Sequence, residues 1–211
     1  VITAIPHTLS THGWWIVSRA SGIVALVLVT ISVFLGLTMA GKPVRSPGFS
    51  KAIRTVHEQT ALAALVAIAI HGLGLLLDPW LKPGLTGVAI PFTMSIHAFS
   101  TGLGVIAAYL AFLLGLSFYL RRRIGARLWR QAHRATIVVY GLGVLHALGA
   151  GSDTGSPLFL IWTVATGVPI ALLFVYRIGA ARRAERRRAL QERRRRRSTV
   201  IAQPDSGRVL A

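Results

Sequence analysis

The chain has 211 residues, 53% of them hydrophobic and only 14% charged, and its 24 Lys and Arg against 6 Asp and Glu leave a formal charge of +18. That balance lies outside the ordinary soluble class, and apolar runs of about eighteen residues or more point to spanning helices. The sequence contains no cysteine, which excludes disulfides, thiolate zinc sites, iron–sulfur clusters and cysteine-linked haem.

Residues 1–13 are uncharged and turn-rich, and read as a short outer lead-in. A first spanning helix is expected from Trp14 to about Ala40, opened by the interfacial pair Trp14 and Trp15. It has no basic stretch before it and is too long for the apolar part of a signal peptide, so a retained helix is expected. Lys42 to Arg54 read as a polar loop broken by Pro43 and Pro47, and a second helix follows from about His57 to Leu77. Pro83, Gly84 and Gly87 mark an irregular connection. A third helix is expected from about Thr93 to Leu120, stopping at Arg121-Arg122-Arg123 ahead of Gly125. The fourth runs from about Leu128 to Ala150, and the fifth from about Pro157 to Tyr176. Residues 179–211 read as a basic cytoplasmic tail without fixed structure. The fold class is therefore an all-α integral membrane bundle of five transmembrane helices.

The distribution of Lys and Arg orients that bundle. Four lie at 41–56, six at 121–134 and twelve from Arg177 onward, whereas only Lys82 lies in a loop of the opposite side. With five spans the three basic segments share one side. The N-terminus is then outside and the C-terminus in the cytoplasm, across a plasma membrane.

Four histidines give the bundle a chemistry. His57 and His71 stand fourteen residues apart, and His133 and His146 thirteen apart. Fourteen residues of helix rise about 21 Å and return to within roughly 40° of one face. A histidine inside an apolar span is costly and usually has a partner. Helices two and four run the same way, so His57 matches His133 in depth near the cytoplasmic face, and His71 matches His146 nearer the outer one. Two imidazoles from facing helices can close both axial positions of a haem iron. A bond to a neighbouring carbonyl, a zinc site or a proton relay are the competing readings. The spacing of thirteen turns an ideal helix by only about 220°, so His133 and His146 share a face only if the helix is distorted or starts irregularly. Gly72, Gly74, Gly102, Gly104, Gly141 and Gly143 would let a flat macrocycle or a neighbouring backbone come close.

The paired histidines His57/His71 and His133/His146, with the run LRRRIGARLWRQAHR leading into helix four, resemble the ferric reductase-like transmembrane domain family. That family includes the membrane part of NADPH oxidases and the haem-binding subunit of the periplasmic methionine sulfoxide reductase system. The resemblance covers residues 14–178 and implies two b-type haems with bis-histidine ligation, His57 with His133 on the inner iron and His71 with His146 on the outer. It also implies transmembrane electron transfer. The oxidases continue into a flavin- and nicotinamide-binding domain where this sequence has an Arg-rich stretch, so flavin or nicotinamide is expected only on a partner.

Arg19, near the outer face, suits a haem propionate or snorkels to the interface. His97 begins helix three outside and reads as an acceptor contact or an interfacial polar residue, while His7 and His12 belong to a solvated N-terminus. Glu58 orients an imidazole or serves as a first-turn acid. Trp14, Trp15, Trp80, Trp129 and Tyr119 fit an aromatic belt. Ten arginines between Arg182 and Arg197 suit anionic lipid or an acidic donor better than nucleic acid.

The function expected is a two-haem b-type membrane cytochrome. Its electrons come from a cytoplasmic flavoprotein reductase or from quinol and go to an outer ferric or protein acceptor. The alternatives are a quinol-linked haem subunit feeding a periplasmic flavoprotein, and a haem-free scaffold or transporter.

Overall fold

A computed structural model describes residues 4–40 and 47–202, with side chains over 12–40 and 48–193. Every regular element among them is helical. Helix α1 spans Ala4–Met39 and so begins ten residues before Trp14, inside the stretch expected to be a lead-in. Helix α2, Pro47–Leu76, also starts early. Pro47 is its first residue, a position that needs no backbone N–H, and the proline expected to break the chain opens the helix instead. Lys42 and Arg45 fall outside the described residues.

A short helix α3, Gly84–Ala89, interrupts the irregular connection. Helix α4, Ala98–Ile124, ends at Gly125, whose φ of 92° stops it, with Arg121, Arg122 and Arg123 in the last turn. Cationic groups there sit favourably against the negative end of the helix dipole. The expected fourth helix is two: α5, Ala126–His133, and α6, Thr136–Ala150. Helix α7, Pro157–Ala202, continues through the basic stretch that was expected to lack structure. Its Ala, Arg, Leu, Gln and Glu are strong helix formers, which accounts for the difference. Residues 203–211 lie outside the described ones.

Four of these helices are long and apolar enough to cross a membrane, over His12–Met39, Gly48–Leu76, Ala98–Ile124 and Pro157–Arg193. Helix α6 has 15 residues and falls short of that length by itself.

The chain divides into two compact units, Val1–Val168 and Pro169–Ala211. In the first, α1 and α2 pack antiparallel along their length, α4 packs on α6 and α5, and α1 meets α6 as α2 meets α4. Small residues permit this. A Cβ on Gly74 would stand 2.9 Å from the Ser18 backbone nitrogen, and Ala25, Ala64, Ala67 and Ala107 are buried. Large apolar side chains such as Val66 and Leu113 face outward, as lipid-facing positions do. In the second unit the side chains of Arg182 to Arg193 are exposed.

Candidate functional site

The four histidines meet in two pairs. The rings of His57 and His133 have centroids 6.2 Å apart at 88°, and those of His71 and His146 lie 6.1 Å apart at 71°. Two metal–imidazole bonds of about 2 Å, with about 1.1 Å from each nitrogen to its ring centre, put imidazoles on opposite sides of one metal about 6 Å apart. Both pairs have that separation. Among the described residues no group of three or more His, Asp or Glu could hold a metal ion. A tetrahedral zinc held by either pair would lack two protein ligands. A metal already held by a planar macrocycle needs only the two axial ones.

Backbone carbonyls orient three of the rings. His71 Nδ1 lies 2.7 Å from Ser18 O, His57 Nδ1 2.9 Å from Ser32 O, and His146 Nδ1 2.9 Å from Ser100 O. A ring N–H donating through Nδ1 leaves Nε2 as the free lone pair, the arrangement common among metal-ligating histidines. The hydroxyls of Ser18 and Ser32 also lie 3.2 Å from the Nδ1 atoms of His71 and His57. His133 differs. Its Nδ1 is buried and has no hydrogen-bond partner among the described residues, and Trp129 stacks on the ring at 4.9 Å and 23°. Trp129, expected in an aromatic belt, stacks on this ring.

Glycines open room for these rings. A Cβ on Gly22 would approach His71 Nδ1 to 2.9 Å, one on Gly104 would approach His146 Nδ1 to 2.6 Å, and one on Gly36 would lie 3.4 Å from His57 Cε1. Gly104 was legible beforehand; Gly22 and Gly36 were missed. The signal for them was present, since Ser18/Gly22 and Ser32/Gly36 repeat at the same spacing of fourteen as His57 and His71. Gly141 and Gly143 meet nothing within 4 Å, and Gly74 serves helix contact.

The α5–α6 junction removes the difficulty with thirteen residues. His133 ends α5, and across the junction the backbone bonds close over three residues: Arg134 N to Gln131 O, Ala135 N to Ala132 O, Ile137 N to Arg134 O and Val138 N to Ala135 O. Such winding turns about 20° more per residue than an α-helix. Four such closures add roughly 80°, most of the rotation of about 100° by which thirteen residues fall short of fourteen.

A cavity of about 350 Å³ adjoins the His71/His146 pair, lined among others by Gly22, Gly104, Arg19, His97 and Asp153. Arg19 donates through Nε to Asp153 Oδ2 at 3.0 Å and pairs through Nη2 with Asp153 Oδ1, while its guanidinium lies 5.1 Å over Trp15. Neither sequence reading of Arg19 included Asp153. His97 caps α4 in the left-handed region at φ 49° and faces this cavity. His12 is exposed, and the side chain of His7 lies outside the described residues.

Compared with known families, residues 21–144 match the one described as ferric reductase like transmembrane component, which is more than half of the chain. The chain belongs to the ferric reductase-like transmembrane family. The matched residues include His57, His71 and His133 together with Gly22, Ser32, Gly36, Ser100 and Gly104; they begin after Ser18 and stop two residues before His146. No curated protein and no solved structure matches the chain. Membership makes it a membrane protein of a type suited to electron transfer, in keeping with its four apolar helices.

Proposed function

We propose that this ferric reductase-like chain is a two-haem b-type membrane cytochrome that carries electrons across the membrane. The observation that carries the reading is the two imidazole pairs, with ring centres 6.2 and 6.1 Å apart, which would hold a metal between two histidines. Haem bound at both pairs supplies reversible one-electron exchange at two depths. His57 and His133 would hold the inner group, and His71 and His146 the outer. The carbonyls of Ser32, Ser18 and Ser100 hold three of these rings through Nδ1, which leaves Nε2 as the lone pair that would take a metal. Gly22, Gly36 and Gly104 keep side chains out of the space the rings need. Arg19, already drawn to Asp153, lies where a propionate of the outer group would reach the guanidinium.

Five spans remain the best account of topology. Because His133 pairs with His57 and His146 with His71, α5 and α6 together cover the same length of bundle as fourteen residues of α2. A broken crossing, begun at His133 where α5 ends and continued by α6, then makes up the fifth span beside the four long helices, and the arginines of α5 stay on the basic side. It returns the basic segments to one side. The donor on that side is a cytoplasmic flavoprotein reductase or quinol in the bilayer, and the outer acceptor is ferric iron or a redox protein.

The visible spectrum of the purified protein tests this. Low-spin b-type bands that sharpen on dithionite, at two haems per chain, are expected. A sample from haem-supplemented cells with no Soret band leaves the scaffold or transporter reading in its place.

A further inference from the structure

Three of the four rings meet the same device: a carbonyl at position i and a glycine at i+4, at Ser18/Gly22, Ser32/Gly36 and Ser100/Gly104. The spacing has a physical cause. A helical side chain leans toward the N-terminus and covers the turn before its own Cα. A residue at i+4 therefore overhangs the carbonyl of residue i, and glycine leaves that oxygen most open to a donor from a neighbouring helix. On α1 the device occurs twice, fourteen residues apart, matching His57 and His71 on the antiparallel α2.

On α4 the second copy fails. Fourteen residues beyond Ser100 and Gly104 stand Leu114 and Phe118. The Phe118 ring lies 5.8 Å from Trp129, Trp129 stacks on His133, and His133 Nδ1 is the one ring nitrogen of this kind without an acceptor among the described residues. We infer that Phe118 and Trp129 replace the open carbonyl at His133, so that the inner pair joins one carbonyl-bonded imidazole to one held only by stacking, while both outer imidazoles are carbonyl-bonded. Phe118 and the three carbonyl–glycine sites are thus positioning residues that set ligand strength.

This inference rests on the haem reading above. A ring N–H bonded to a carbonyl makes its imidazole more basic, and a more basic axial ligand favours ferric iron and lowers the reduction potential. Leu114 O already accepts from Ser117 Oγ at 2.7 Å, as Ser18 O accepts from Ser21 Oγ at 3.1 Å beside its contact with His71, and Phe118→Gly takes the overhanging side chain off that carbonyl so that His133 can reach it as well. In the full-length protein with haem bound, potentiometric titration followed by visible spectra should show the inner haem shifted to lower potential and the outer one unmoved. Phe118→Leu, which removes the ring but still overhangs the carbonyl, should not produce that downward shift. Gly104→Ala should perturb or release the outer haem alone, because its Cβ would meet His146 Nδ1 at 2.6 Å. Gly36→Ala, whose Cβ would lie 3.4 Å from His57 Cε1, should perturb the inner haem less than Gly104→Ala perturbs the outer one.

Two bound haems whose potentials are the same in Phe118→Gly as in the unsubstituted protein would overturn the inference and leave the haem reading standing. Equal downward shifts in Phe118→Gly and Phe118→Leu would overturn it too, since loss of the ring would then suffice. If Phe118→Gly binds no inner haem, Gly104→Ala decides, and an unchanged outer haem there counts against the device. Absence of haem from the unsubstituted protein removes the functional reading first.

Discussion

At the scale of single residues, the imidazoles pair across helices far apart in sequence, and the pairing makes a sharp demand on variants. His57→Ala and His133→Ala should each remove the same haem, and His71→Ala and His146→Ala the other. Each single substitution should halve the haem content by pyridine haemochrome assay. The double variant His57→Ala/His133→Ala should lose no more than either single one. Loss of different haems from His57→Ala and His133→Ala would break the pairing. Arg19 shows what residue-scale reading misses. Its cationic role near the outer site was legible, but Asp153 is separated from it by 134 positions and reaches it only in the folded chain.

At the scale of elements, two features are informative. The α1–α2 contact is close because Gly74 lies against the Ser18 backbone. Gly74→Ile would push the helices apart at the point where Ser18 also meets His71. Overpacking of this kind costs about 1–3 kcal/mol, so the thermal midpoint in detergent should fall, with the outer haem released before the inner. The α5–α6 junction is the second. One alanine inserted between Arg134 and Ala135 gives His133 and His146 the regular spacing of fourteen, yet turns them by a further 100° or so. The inner haem should be lost and the outer kept. A protein with both haems intact would show that the tight winding is incidental.

At the scale of the whole molecule, charge and apolar length set the frame. The lopsided Lys and Arg distribution predicts that a reporter after Arg197 reads cytoplasm and one at Gly84 reads exterior. In liposomes with reductant inside and an impermeant ferric acceptor outside, the protein should reduce that acceptor. His71→Ala should stop the flow while the inner haem stays reducible. Acceptor reduction at the unsubstituted rate in His71→Ala would take the outer site out of the path.

The helical, membrane-directed class and the four histidines were legible in the sequence itself, because apolar length and spacing along one helix are local properties that repeat every few residues. The repeat of Ser18/Gly22 at Ser32/Gly36 was equally local and available, although its meaning required knowing which ring faces it. Partners across helices were a different matter. That α5 and α6 are separate and wind tightly between His133 and Thr136, that Trp129 stacks on His133, and that Arg19 meets Asp153 depend on which helix faces which and at what rotation. Those are set by packing between distant segments, where Gly74, Gly104 and Phe118 decide how near two backbones or rings can come. Periodicity along one chain carries no information about that distance. Spacing determined where the histidines stand along their helices; only the tertiary structure decided which carbonyl, glycine or aromatic ring meets each of them.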